Sequence, residues 1–147
     1  MRLHVHVEGV SDKLFFEIWA KKFIPKHSFK IITEGHKGKL PKKGKWNDRP
    51  NSKTIGLLDL LPAKLKAYEK ALNPETDRVV YLIDLDSGDQ NILDNFLKKL
   101  RNVLSECNIQ KTTVEFCIAV HETEAYFLGD AIAIKKAFPS ANITILN

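Results

Sequence analysis

The stretch "VVYLIDLDSGD" carries a run of apolar residues, Val79 to Ile83, straight into the carboxylates of Asp84, Asp86 and Asp89. Carboxylates held side by side repel one another, and one tends to keep its proton unless a positive charge lies between them. Such a cluster therefore asks for a cation, from the chain or from solution. Two residues apart on a strand, Asp84 and Asp86 face the same way about 7 Å apart, and where the strand gives way to a loop both can turn toward one ion. Oxygen ligands of this kind suit Mg²⁺ or Mn²⁺, and Mg²⁺ takes only one or two carboxylates, with water and substrate phosphate completing its shell. Asp89, next to Ser87 and Gly88, reads better as a turn or N-cap group for a following helix. Asp84, still flush with the apolar run, is the stronger functional candidate.

Further acids stand at the ends of other predicted strands. Glu8 closes the alternating "RLHVHVE", and Glu122 and Glu124 follow "TTVEFCIAV" in the segment "HETEAY". Asp12 falls in the first turn of a predicted helix, where it suits the helix dipole. His4 and His6 share the side of Glu8, but an alternating His pair is more often a packed strand face than a metal site.

The elements needed to position these residues follow from periodicity. "RLHVHVEG" and "FKIITEG" read as strands, and "DRVVYLIDLD" has the near-continuous apolar run of a parallel strand covered on both faces. "TTVEFCIAV" is a fourth strand and "NITILN" a fifth. Helical spacing places a helix over "SDKLFFEIWAKKF", with Ser11 as N-cap and Pro25 beyond its end, and another over "NILDNFLKKLRNVL". Pro62 is expected to divide "TIGLLDLLPAKLKAYEKAL" into two pieces, and "TEAYFLGDAIAIKKAF" is helical in part. Strands alternating with helices predict a single three-layer, Rossmann-like α/β domain over residues 1–147, with a mostly parallel sheet of four to five strands and right-handed crossovers. Ligands of such sheets gather at the carboxyl ends of the strands, where Glu8, Asp84 and Asp86 are expected to meet.

The chain of 147 residues, 44% hydrophobic and 28% charged, has the composition of a soluble globular protein. It has no apolar run of the roughly 20 residues that would cross a bilayer, so no membrane association is expected. Its start reads as a strand rather than a secretory signal, which leads to an expected cytoplasmic location. Cys107 and Cys117, in or beside a predicted strand and without metal-ligand spacing, are expected to be reduced and packed. The net charge of +5 is concentrated in one loop, residues 36–53, where seven Lys or Arg stand against Asp48 alone. Lys37, Lys39, Lys42, Lys43, Lys45 and Arg49 in this loop are candidate phosphate contacts. By default such a run is a solvated loop, and its Trp46 either stacks on a base or pins the loop to the body.

The blocks "VEGVSDKLFFE", "GHKGKL", "VVYLIDLDSGD" and "HETEAYFLGD", in this order, resemble the Toprim domain of topoisomerases, primases and overcoming-lysogenization-defect nucleases. The similarity is greater to a compact Toprim-like family of unknown function associated with bacterial defence loci and ATPases, and it covers residues 3 to 131. It implies a Toprim fold with Glu8 as metal ligand or general acid/base and Asp84 and Asp86 as the metal-binding pair. It further implies Asp12 as an additional ligand, shorter than the glutamate often found there, and Glu122 and Glu124 as the later acidic pair. Tyr126 stands where a tryptophan is frequent, a difference of packing. Relatives continue past Asn142, so a C-terminal part is expected to be missing.

These readings lead to an expected Mg²⁺- or Mn²⁺-dependent nuclease, with one or two ions and little sequence specificity. Its expected partners are nucleic acid, DNA ahead of RNA, and an ATPase of an anti-phage defence system. A homo-oligomer is compatible with a domain of this kind. One alternative keeps the fold as a non-catalytic binding or regulatory subunit of an ATPase complex. Another takes "DLDS" as the nucleophile motif of a haloacid-dehalogenase-type phosphatase, which ranks lower because that motif belongs on the first strand.

Overall fold

The computed structural model describes residues 1–42, 44, 55–120 and 131–140. Four strands, β1 (Arg2–Val7), β2 (Ser28–Thr33), β3 (Asp77–Leu85) and β4 (Thr113–Val120), form one sheet in the order β2-β1-β3-β4. Every pairing is parallel. Helices α1 (Val10–Phe23), α2 (Leu57–Ala71) and α3 (Gln90–Glu106) connect consecutive strands, and α4 (Ala131–Ala137) follows β4. The expected Rossmann-like α/β architecture is thus present, with a four-stranded sheet among the described residues. The fifth strand expected at "NITILN" lies outside them.

From β1 the chain steps outward to β2 and then returns across β1 to build β3. Right-handed crossovers in opposite directions set α1 on one face and α2 and α3 on the other. The order therefore reverses beside β1, and the carboxyl ends of β1 and β3 flank the crevice that such a reversal opens.

The core lies on the α2/α3 face. Leu57, Leu58, Leu61 and Leu65 of α2 meet Val79, Tyr81 and Ile83 of β3 and Leu100 and Val103 of α3, all essentially without solvent exposure. Along β3 burial alternates: Val79, Tyr81, Ile83 and Leu85 are buried and Val80, Leu82 and Asp84 only partly so. Among the described residues, the coverage of both faces expected from the continuous apolar run is complete on one face only. The reason lies in α1, whose only fully buried residue is Ala20. Apolar side chains surround this helix, and Val10, Leu14, Ile18 and Phe23 stay largely exposed. Periodicity locates such a helix but leaves its inward face undetermined.

Pro62 does not divide α2, which runs unbroken from Leu57 to Ala71. A proline there forfeits one backbone hydrogen bond, but Pro62 is itself buried between Leu58 and Leu65, and packing of that face holds both halves of the helix in line. Cys107 caps the end of α3 rather than joining a strand; it is buried, Cys117 on β4 is exposed, and both are free thiols. No helix among the described residues is long and apolar enough to cross a membrane.

Candidate functional site

Glu8 is the first residue beyond β1, and Asp84 lies near the end of β3. The two edges are joined directly: a carboxylate oxygen of Glu8 accepts the backbone N–H of Asp84 at 3.0 Å. Glu8 thus reaches across the crevice toward the Asp84–Asp86 segment. Burial holds its carboxyl above the usual carboxylate range; the Asp84 amide and Lys37 oppose that shift, and the charges of Asp84 and Asp86 add to it. A carboxyl so placed keeps its proton more readily than a solvated one, a property suited to proton transfer.

Among the described residues, Lys37 brings a positive charge to this cluster. Its ammonium donates to the backbone carbonyl of Asp84 at 2.6 Å and to Oδ2 of Asp86 at 2.6 Å. The Asp86 side chain is 74% exposed, whereas that of Lys37 is 25% exposed, so the lysine approaches from the protein side. The backbone explains its position. The N–H groups of Leu57 and Leu58, unsatisfied at the start of α2, donate to the carbonyls of His36 and Lys37 at 2.9 and 2.8 Å. Gly38, at φ +70°, lies so near the start of α2 that a Cβ there would collide with the Asp59 carboxylate and stand 3.0 Å from Gly56 Cα. Only glycine meets both demands without strain.

Asp12 has a local task. Its Oδ2 accepts the N–H of Gly9 at 2.9 Å, closing the first turn of α1. Asp59 repeats the device on α2, accepting from Gly56 at 2.9 Å. The shared pattern Gly-x-x-Asp, in "GVSD" and "GLLD", marks both helix starts, and α1 accordingly begins with Gly9 as its N-cap rather than Ser11. Asp89 caps α3 as expected, its Oδ1 accepting from Asn91 N–H at 2.7 Å.

Glu34, one residue past β2, went unremarked in the sequence. It occupies the same place on β2 that Glu8 holds on β1, each followed by glycine, and Glu34 N–H donates to Val7 O at 3.4 Å. The paired words "VEG" and "TEG" were the available signal. Glu34 forms an ion pair with Lys64, and its Oε1 lies 3.5 Å from His6 Nδ1. His6 is fully buried, stacked on Tyr81 with ring centroids 4.5 Å apart, and its Nε2 is 2.7 Å from the Tyr68 hydroxyl. Burial, with the charges of Lys64, His4 and Lys30, pushes its pKa down to about 3, so the ring is neutral. His4 approaches Asp77 at 3.3 Å. Both histidines are packed strand residues.

Of the basic loop, Lys37 contacts the acids, Lys39 and Lys42 are exposed, and Lys43, Lys45, Trp46 and Arg49 lie outside the described residues. So do Glu122, Glu124 and Tyr126. Among the described residues no three His, Cys, Asp or Glu side chains are already grouped as a metal cage. Glu8, Asp84 and Asp86 carry oxygen donors of the kind Mg²⁺ and Mn²⁺ prefer, and a hydrated ion needs only one or two carboxylates rather than a closed shell. Searches of protein-family models, curated proteins and solved structures returned no match to this chain.

Proposed function

We propose that the chain is a Toprim-like phosphodiesterase that hydrolyses nucleic acid with the help of Mg²⁺ or Mn²⁺. The observation that carries this reading is the meeting of Glu8 with the Asp84–Asp86 segment at the sheet's reversal point, with Lys37 bound to that same segment. When bound, the divalent ion supplies Lewis acidity and an activated water. Asp84 and Asp86 would hold it. Glu8, whose carboxyl is raised by burial, accepts or returns the proton. Lys37 balances the acids before substrate arrives and then offers its ammonium to a phosphate oxygen, aided by Lys39 and Lys42. Contacts of this kind carry no sequence information, so cleavage is weakly sequence-specific and weakens with salt. The resemblance extends the proposal to a cytoplasmic anti-phage defence system with DNA as substrate and an ATPase as partner.

Plasmid nicking in Mg²⁺ or Mn²⁺ tests the reading. Nicking by the wild-type chain and its loss in an Asp84→Ala, Asp86→Ala double variant are expected; undiminished nicking by that variant would remove the proposed site.

One observation favours a second reading. The Lys37 ammonium already neutralises Asp86, and Glu8 already has the Asp84 amide. A non-catalytic subunit with the same fold would keep these contacts permanently, and no Mg²⁺-dependent turnover would appear even with an ATPase partner added.

A further inference from the structure

A cavity of about 590 Å³ opens beside the acidic edge, between the 37–42 segment, the start of α2 and the outer side of α3. Its volume is in the range of sites that hold small organic ligands. The floor is apolar, made by Leu40, Leu58, Leu85 and the ring of Phe96. The lining is otherwise largely cationic, with Lys37, Lys39, Lys42 and Lys99, against the single acid Glu106. This combination selects a ligand with a flat apolar body and an anionic attachment. A purely electrostatic surface would need no apolar floor, and a purely hydrophobic partner would gain nothing from four ammonium groups.

The cavity adjoins the acids through two shared neighbours. Leu85 lines it and is the residue before Asp86; Lys37 lines it and also holds Asp86 and the Asp84 carbonyl. A base seated on Phe96 would therefore bring its own phosphate to Lys37, at the edge of the carboxylate cluster. We infer that this cavity is a subsite for one unpaired base of a single strand, which fixes the register of the neighbouring phosphodiester. The inference rests on the proposed hydrolysis for its biological meaning, but not for the binding itself. A base within a duplex is stacked and paired and must be extruded before it can enter, so single-stranded nucleic acid binds more tightly. Aromatic stacking is tolerant of base identity, which agrees with weak sequence preference.

The test is fluorescence anisotropy on the full chain in EDTA, using a labelled short oligothymidylate and the same strand annealed to its complement. The single strand is expected to bind about tenfold more tightly than the duplex, an increment typical of one stacked base. Asn102, exposed on α3, lines the cavity, so Asn102→Trp fills it from the solvent side. That variant should bring single-strand affinity down to the duplex level with its Tm unchanged, and Lys99→Glu should do the same more weakly. The Asp84→Asn, Asp86→Asn variant should retain single-strand binding. Equal affinity for the two probes, indifference to Asn102→Trp, or tighter binding of a labelled acidic peptide would each overturn the assignment. Pocket-dependent binding without nicking would sink the hydrolase reading alone, whereas nicking without pocket dependence would sink the subsite alone.

Discussion

Two groups of charged and polar residues flank the inner strands, and they differ in how completely their charges are answered. Beneath the sheet, at the amino end of β3, Asp77 accepts Arg2 at 2.5 and 2.9 Å, the Asn73 amide at 3.0 Å and lies 3.3 Å from His4. Higher on the same face, His6 lies against Tyr68 and Tyr81, and Glu34 against Lys64. At the opposite, carboxyl end, Glu8, Asp84 and Asp86 share Lys37, and Asp86 faces solvent. The first arrangement is closed around Asp77, whose carboxyl the Arg2 guanidinium holds well below the usual carboxylate range, while His6 Nδ1 and the Tyr81 hydroxyl stay buried without a hydrogen-bond partner among the described residues. In the second, Glu8 is displaced in the opposite direction, because burial disfavours its charge and Asp84 and Asp86 stand near it. Closed polar networks hold a fold together, while carboxylates gathered at a crevice are where a cationic ligand gains most.

The comparison can be broken most decisively at Glu8. Glu8→Gln keeps an acceptor for the Asp84 amide but cannot carry a proton, so nicking should fall about 10²- to 10⁴-fold, the usual contribution of a general acid or base. The sign of the stability change is opposite. Because the folded-state pKa of Glu8 is raised, the native chain binds the extra proton and loses stability as pH climbs from the unfolded value through the folded one. Glu8→Gln removes that loss, so its Tm at neutral pH should match or exceed that of the wild type. A falling Tm would place Glu8 with the closed network instead.

Tyr68→Phe probes the closed side. It leaves His6 Nε2 buried without its 2.7 Å partner, at an expected cost of about 1–3 kcal/mol, read by urea unfolding, with nicking unchanged. A separate effect is expected from pH. The folded pKa of His6 is lowered to about 3, so the unfolded chain takes up the proton first, and stability present above about pH 6.5 declines as pH falls through that window. His6→Phe, which keeps a ring over Tyr81, should flatten this decline in a Tm series from neutral to acidic pH. Gly38→Ala should lower both nicking and Tm, because a Cβ at φ +70° meets the Asp59 carboxylate that caps α2 and shifts the segment carrying Lys37.

Much of the fold was legible because its signals are local. The apolar run before Asp84, the alternation in β1 and the spacing in α3 each mark an element without reference to its neighbours, and β3 ends within a residue of its expected limit. Asp84 and Glu8 were legible as candidates for the same reason: each stands where a strand ends. What the sequence hid depends on tertiary approach. Lys37 sits in a basic run and looks like its neighbours; only the docking of His36 and Lys37 carbonyls on the start of α2 separates it from Lys39. Likewise, the exposed side of α1 and the continuity of α2 through Pro62 were set by packing that no local pattern encodes.

The central claim is that the open carboxylate edge is completed by a divalent ion. Titration of Mn²⁺ followed by electron paramagnetic resonance reads this directly, in the wild-type chain and in the Asp84→Asn, Asp86→Asn variant. Loss of the free Mn²⁺ signal in the wild type, with one or two ions taken up per chain and none by the variant, is the predicted result. Equal uptake by both chains, or none by either, would contradict it.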